Sequence, residues 1–348
     1  MLSAMVDALQ ARYRAQSERQ PMFNTPFALR RWNEASIALG LAAWMAMILA
    51  REIGRSRLSD PSLLLLLMFW VIAPLAISLM PPPGKGAWKL FHLAILLQPF
   101  AALCGFVSLL LAPGAFAGVV AGIWLLFSLL LALLGLLFLF QTRARSLPES
   151  CLAGALVYLP IGALWLLMSR LNLRPLGFDS LIVLLTAVHF HFITLTALTI
   201  TGLSGQALKA ERRAFPHRLY RVLAPGMLIT PLIVAGGITL TQVTGVRLLE
   251  GVGACLLACC LIGIALLNVC FIVPGTRPAL ARILLLVSSN GVVLTMLLAT
   301  AYALGETTGA WTITIAQMIA LHGWINGLVF GLCGLLGWRL RQSEWEKE

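Results

Sequence analysis

The chain has 348 residues, of which 60% are hydrophobic and only 11% are charged, and this excludes both a water-soluble globular enzyme and a disordered chain. The net charge of +12 would fit a nucleic-acid-binding protein, but Lys and Arg lie almost wholly between apolar runs, which argues against a nucleic-acid partner. The composition predicts an all-α polytopic membrane protein.

Residues 1–34 precede the first apolar run and lack both the apolar core and the small-residue cleavage site of a signal peptide. Apolar residues recur in this leader at helical spacing, at Leu2, Met5, Val6, Leu9 and Tyr13. Arg12, Arg14 and Arg19 supply a basic side. We expect a short amphipathic helix at the cytoplasmic membrane surface, with a disordered tail as the alternative.

Ten apolar runs are long enough to cross about 30 Å of hydrocarbon, which takes roughly 20 residues. They are 35–53, 63–80, 91–111, 115–140, 151–168, 181–203, 223–243, 251–273, 283–304 and 313–338. The first run is the weakest, so a nine-span topology competes with ten. No segment between the runs is long enough to fold alone. The sequence therefore predicts one transmembrane domain, 35–338, followed by a cytoplasmic tail, 339–348.

The distribution of basic residues predicts the orientation. With ten spans and a cytoplasmic N-terminus, 19 of the 25 Lys and Arg residues fall on the cytoplasmic side. Because short cytoplasmic loops are enriched in these residues, both termini are predicted to be cytoplasmic.

Small residues predict where helices pack closely, because lipid removes the hydrophobic drive between helices. Two runs carry glycines at a spacing of four: Gly114, Gly118 and Gly122 in the fourth, and Gly323, Gly327 and Gly331 in the tenth. We expect both runs to be central packing helices.

Ionisable groups inside the membrane mark functional sites, and here they are histidines. No Asp, Glu, Lys or Arg lies well inside the second to tenth runs, which argues against carriers that need a buried carboxylate. His189 and His191 lie in the sixth run and His322 in the tenth. At 1.5 Å per residue, His189 and His322 are both roughly 12–14 Å below the outer boundary. Equal depth permits contact if the two runs are neighbours.

Helical spacing limits how these side chains can combine. His189 and His191 are two residues apart and point to opposite sides of a regular helix, so one of them with His322 is the simpler pair. Asn326 shares a face with His322 and could orient its ring. The pair could be acid/base groups, metal ligands or axial haem ligands. The alternative is a structural role as interhelical hydrogen-bonding groups, worth about 1–2 kcal/mol each.

The candidate acid/base residues are thus His189, His191 and His322, and no metal site or cofactor is assigned. The candidate substrate-binding residues lie on the same two runs or at their outer ends: Asn326, Thr186, Thr194, Gln317 and Asp179. The threonines carry little weight, because their hydroxyls can bond to carbonyls of their own helix.

Two stretches resemble a known family. Residues 175–192, PLGFDSLIVLLTAVHFHF, look like the hallmark segment of the YndJ-like bacterial integral membrane proteins, and 321–330, LHGWINGLVF, is similar to their C-terminal segment. The resemblance implies a transporter in the bacterial cytoplasmic (inner) membrane, with no particular substrate. Both stretches contain the histidines already singled out.

Two functions remain open, with a structural or assembly subunit as a third. The first is a transporter or export helper for a small or hydrophobic molecule, in contact with membrane lipids. The second is an intramembrane enzyme that acts on an apolar substrate through its histidines. No phosphate-binding loop, HExxH motif or serine triad favours a particular reaction.

Overall fold

The computed structural model describes residues 26–81, 85–142, 146–210 and 214–345. In these ranges the regular structure is helical, which confirms the all-α prediction. Most of the predicted amphipathic leader, residues 1–25, lies outside the described residues, as do the last residues of the tail, 346–348.

Ten helices in the described ranges are long and apolar enough to cross a membrane, which confirms the predicted number. They are α1 (Phe27–Glu52), α2 (Asp60–Ser78), α3 (Trp88–Leu110), α4 (Ala115–Thr142), α5 (Leu147–Arg170), α6 (Ser180–Ala210), α7 (Phe215–Thr244), α8 (Leu248–Ile272), α9 (Ala279–Thr308) and α10 (Ile315–Ser343). Residues 27–34, assigned to the leader from sequence, belong to α1.

Helix α2 is the most enclosed helix of the bundle. Its side chains from Leu63 to Ile72 have almost no exposed surface, apart from Trp70. By contrast α4 exposes large side chains such as Phe116 and Leu126, as expected for a face toward lipid tails. The bundle is thus organised around the second helix.

Several helices contain π-helical segments, in which the turn is wider than in an α-helix. These segments are Met68–Ile72, Ile193–Leu198, Asn268–Ile272, Ile319–Gly323 and Ile325–Cys333. In a membrane, main-chain groups disturbed by such turns need protein partners. Gln98 Nε2 donates a 2.7 Å hydrogen bond to the carbonyl of Phe69, and Ser288 Oγ donates one of 2.8 Å to that of Phe330.

The two glycine ladders differ in their surroundings. A methyl group added at Gly327 of α10 would lie 2.8 Å from Leu64 Cδ2 of α2, so this ladder packs closely as predicted. Of the predicted ladder Gly114, Gly118 and Gly122, only Gly118 has a close neighbour, Leu171, and a methyl group at Gly122 would meet nothing within 4 Å. The prediction of a packing ladder in α4 is wrong, because its close helix contact is at Gly135 instead, where a methyl group would stand 2.8 Å from the carbonyl oxygen of Ala153 in α5.

Polar contacts near the ends of the helices identify the two ends of the bundle. Arg339 at the end of α10 reaches Glu34 in α1 at one end. At the other end, Arg247 before α8 pairs with Glu306 in α9, and Arg170 Nη2 donates a 2.6 Å hydrogen bond to the carbonyl of Leu111. We call the second the Glu306 end. It contains the loops 53–59, 111–114, 171–179, 245–247 and 309–314.

Candidate functional site

A cavity of about 320 Å³ lies among α2 and α6 to α10. Along α8 it extends from Glu250, in the first turn, to Leu261. That is about 16 Å, or roughly half the thickness of a bilayer core. The cavity therefore runs from the Glu306 end to the middle of the bundle. Its lining is mainly aliphatic, with five polar side chains: His189, Glu250, Tyr302, His322 and Asn326.

Thr295 of α9 positions two of these polar side chains. The ring of His322 bonds through Nδ1 to the main-chain carbonyl of Thr295 at 3.1 Å, and the Thr295 hydroxyl donates a 2.7 Å hydrogen bond to Asn326 Oδ1. A carbonyl only accepts, so in the neutral ring Nδ1 carries the proton and Nε2 is the basic nitrogen. The two residues do share a side of α10, but α9 orients His322, not the Asn326 amide.

His189 of α6 lines the same cavity as His322, and the two rings are close enough to interact electrostatically. Within the described part of the chain its ring nitrogens have no hydrogen-bond partner, and its surface is open to the cavity. The structure therefore brings together one histidine from each of the two predicted helices.

The local shape of α10 follows from its glycines and wide turns. His322 lies in the π-helical segment Ile319–Gly323, and Asn326 lies in the next one, Ile325–Cys333. A methyl group at Gly323 would lie 3.3 Å from Leu64 of α2. Close approach to α2 on one side and wide turns on the other direct the polar side chains of α10 toward α9 and the cavity. Segments of this kind are frequent at functional sites.

Glu250 and Tyr302 are cavity residues that the sequence did not reveal. Glu250 is half-buried in the first turn of α8, where the helix dipole favours a carboxylate. Tyr302 of α9 is near enough to interact with it electrostatically. Glu250 lies just before the eighth apolar run, so the statement that no carboxylate lies well inside the runs holds, but this one lines the cavity from its end.

Glycines fix the backbone at Glu250. A methyl group at Gly237 of α7 would stand 2.6 Å from the Cα and N atoms of Glu250. One at Gly251 would stand 2.7 Å from Thr307 Oγ1 of α9. The start of α8 therefore lies close against α7 at Gly237 and close against the Thr307 side chain of α9 at Gly251.

An ion pair lies beside this carboxylate at the Glu306 end. The Arg247 guanidinium, in the loop between α7 and α8, pairs with Glu306 of α9, and both side chains are partly exposed. The hydrogen bond to Glu306 raises the pKa of Arg247 above its usual value, with a smaller contribution from Glu250. Arg247 therefore stays charged and bound to Glu306.

His191 lies on the other side of α6, as the spacing predicted. Trp124 Nε1 of α4 donates a 2.8 Å hydrogen bond to its Nε2, and its Nδ1 lies 2.7 Å from the carbonyl of Ala187. The ring is fully buried, and Phe69 contacts it edge-on at 5.6 Å between centroids. Both ring nitrogens of His191 are engaged and it does not line the cavity, so the structure does not bring it together with His322 there.

Four other candidates also lie outside the cavity lining. Thr186 and Thr194 bond to the carbonyls of Ile182 and Phe190 in their own helix, at 2.8 and 2.7 Å. Asp179 caps α6 by accepting a 2.8 Å hydrogen bond from the amide of Leu181. Gln317 forms a capping box with Thr314 at the start of α10. Asp179 and Gln317 thus cap helix ends, and the two threonine hydroxyls are bonded within their own helix.

Metal ligation would need further donors beside the two cavity histidines. In the ranges that the structure describes, no three His, Cys, Asp or Glu residues form a group that could hold a metal ion. The polar groups that line the cavity are instead two imidazoles, a carboxylate, a phenol and an amide.

These features define a polytopic helical membrane protein with a polar group of side chains inside an apolar cavity. The family described as "YndJ-like protein" matches residues 63–330, a range that includes every residue lining the cavity. The chain belongs to the YndJ-like family. This confirms the resemblance and, with the ten candidate spans, the prediction of a multi-pass bacterial membrane protein.

A curated relative is the "Uncharacterized membrane protein YndJ" of Bacillus subtilis (strain 168). It is 27% identical over 296 residues, which is 85% of this chain and 51% of the relative, so the chain spans about half the length of that protein. No solved structure matches the chain.

Proposed function

We propose that the chain is a transporter or export helper that binds a small hydrophobic molecule in the cavity between α6 and α10. The observation that carries this proposal is the cavity itself, about 320 Å³ of mainly aliphatic lining with a few polar groups. Its size and lining are typical of small-molecule sites, in which apolar surface supplies affinity and a few polar groups fix orientation.

The helix geometry at the inner end of the cavity supports a pathway that continues when the helices rearrange. The cavity stops about halfway across the bundle, where the π-helical segments Ile193–Leu198 and Ile325–Cys333 lie. π-helical segments are frequent at functional sites. Thr196 within the first of these segments and Thr199 directly after it have buried hydroxyls without a hydrogen-bond partner in the described part of the chain. A rearrangement that opened this region would give those hydroxyls partners and extend the pathway.

The test compares a variant that fills the cavity with one that adds the same side chain to the lipid-facing surface. Ala254→Trp places an indole in the cavity, whereas Ala42→Trp adds one to an exposed position of α1. Proteins purified from membranes are extracted and their small molecules identified by mass spectrometry. We expect a molecule that accompanies the wild type and Ala42→Trp but not Ala254→Trp. Equal recovery from all three would overturn the proposal.

Movement is tested with the molecule so identified. Wild-type protein in liposomes should release or accumulate it across the bilayer, and Ala254→Trp should not. Binding without movement in the wild type would contradict transport and leave only a binding role.

An intramembrane enzyme is the second candidate, favoured by the geometry of His322. A ring held by a main-chain carbonyl through Nδ1, with Nε2 as the basic nitrogen beside a second imidazole, is suited to proton transfer. His322→Gln distinguishes the two functions. An enzyme would accumulate a substrate that differs chemically from the molecule found with the wild type, whereas a transporter would retain the same molecule or lose it.

A further inference from the structure

The charges around the cavity indicate what kind of molecule it accepts. Glu250 is the one acidic residue among those described that line it, and no Lys or Arg lies in that lining. The side chain is half-buried and has no hydrogen bond in the described part of the chain. Its oxygens therefore have free capacity to accept from a donor or to pair with a cation in the cavity.

The nearest cation is already engaged. Arg247 interacts electrostatically with Glu250, but its guanidinium bonds to Glu306 and it does not line the cavity. Together Arg247, Glu250 and Glu306 carry one net negative charge at the cavity entrance. Tyr302 adds an aromatic ring on the same side, and such rings attract cations.

The polar groups deeper in the cavity also favour a ligand that donates hydrogen bonds. His322 presents Nε2 as an acceptor, because its Nδ1 is bonded to the Thr295 carbonyl. Asn326 Oδ1 already accepts from Thr295 and has capacity for a second donor. An anion would meet one carboxylate and no fixed cation in this lining, whereas an ammonium group would find acceptors and an opposite charge.

We infer that the cavity selects a lipophilic amine in its ammonium form, with the nitrogen paired to Glu250 and the apolar body lying along α8 toward Leu261. This rests on the proposed binding function and names its substrate class. Glu250 is then a specificity-determining residue, held in place by Gly237 and Gly251.

Three probes of one shape and different charge test the inference: 1-naphthylmethylamine, 1-naphthylmethanol and 1-naphthoate. Binding to protein in lipid nanodiscs is measured by equilibrium dialysis at pH 7, with empty nanodiscs subtracted. At this pH the amine is cationic, the alcohol neutral and the naphthoate anionic. We expect the amine to bind about tenfold or more tightly than the alcohol, and the naphthoate most weakly.

The substitution Glu250→Gln should remove the preference, bringing the amine to within about twofold of the alcohol while leaving the alcohol unchanged. Asp60→Asn is the matched control: it neutralises a carboxylate at the same end that lies outside the cavity lining and leaves the Arg247–Glu306 pair intact, and the preference should persist. An amine preference that survives Glu250→Gln would overturn the inference.

The Ala254→Trp variant separates this failure from a failure of the proposed function. If all three probes bind alike and Ala254→Trp blocks them, the cavity binds ligands but charge selection is wrong. If Ala254→Trp leaves binding of every probe unchanged, the cavity is not the binding site and both proposals fail.

Discussion

Helix α6 has a closed face and an open face, and a histidine stands on each. On the closed face His191 is packed against Trp124 and Phe69 with both ring nitrogens engaged. On the open face His189 borders a cavity and has no hydrogen-bond partner among the described residues. Two positions apart in sequence, the same side chain has both ring nitrogens engaged on one side and faces open space on the other.

The largest expected effect is on the closed face. His191→Ala leaves the Trp124 N–H unpaired and opens a space in a packed region, so we expect a loss of about 3 kcal/mol in the free energy of unfolding. His189→Ala, facing open space, should cost less than about 1 kcal/mol. Unfolding by SDS in mixed micelles measures both. Similar losses for the two would contradict the comparison.

If His191→Ala does not yield folded protein, Trp124→Phe removes the same hydrogen bond while keeping an aromatic ring. We expect a loss of about 1–2 kcal/mol, since His191 Nε2 then lacks its donor. Ligand binding at the cavity should be unchanged, because this contact lies on the other side of α6.

The next effect concerns the backbone contact that places Glu250. Gly237→Ala inserts a methyl group 2.6 Å from the Glu250 main chain, so α7 and α8 must separate. We expect a loss of about 2 kcal/mol in stability and a weaker preference for the amine probe. Gly236→Ala is the control, because a methyl group there meets nothing within 4 Å. Equal behaviour of the two variants would show that this contact does not position the carboxylate.

A smaller effect is expected at Thr295 of α9, which bonds to His322 and Asn326 in the cavity lining. Thr295→Val removes the hydroxyl bonded to Asn326 but keeps the carbonyl bonded to His322, and should cost about 1 kcal/mol. Thr300→Val is the control, since the Thr300 hydroxyl bonds only to Met296 of its own helix. Probe binding should weaken in the first variant only, and the prediction fails if both variants lose affinity alike.

The smallest effect is at the exposed Arg247–Glu306 pair. Arg247→Gln should cost about 0.5 kcal/mol in stability, as exposed ion pairs do. It should strengthen binding of the amine probe, by about two- to threefold, because a positive charge near Glu250 is removed. Arg51→Gln, which breaks the Asp60 pair at the same end, should leave the affinity for the amine unchanged. Weaker amine binding in Arg247→Gln would contradict the assigned charge balance.

The ten helices were predictable because each must be apolar over the thickness of a membrane, a requirement that a single sequence displays. Residues 27–34 were assigned outside the first helix because Arg30, Arg31 and Glu34 interrupt the apolar run, yet the helix begins at Phe27. The orientation of the termini stays a prediction, resting on the distribution of Lys and Arg.

The site was predictable only in part. Helical periodicity placed His189 and His191 on opposite sides, and matching depth allowed one of the two to meet His322, without saying which. Glu250 and Tyr302 were missed because they lie near helix ends, and only the packing order of α7, α8 and α9 brings them to the cavity. The role of Thr295 depends on its main chain, which leaves no signal in residue type. The caps at Asp179 and Gln317 were visible in sequence, as an acidic residue before a helix and a Thr-x-x-Gln pattern.

Thr295 holds two neighbours of α10 at once, one through its main chain and one through its side chain. Sliding α10 along α9 by a single turn would break both bonds together, so the imidazole and the amide cannot change partners independently. The polar groups that α10 presents to the cavity are therefore set by the register of two helices, and a shift between them would change both contacts at once.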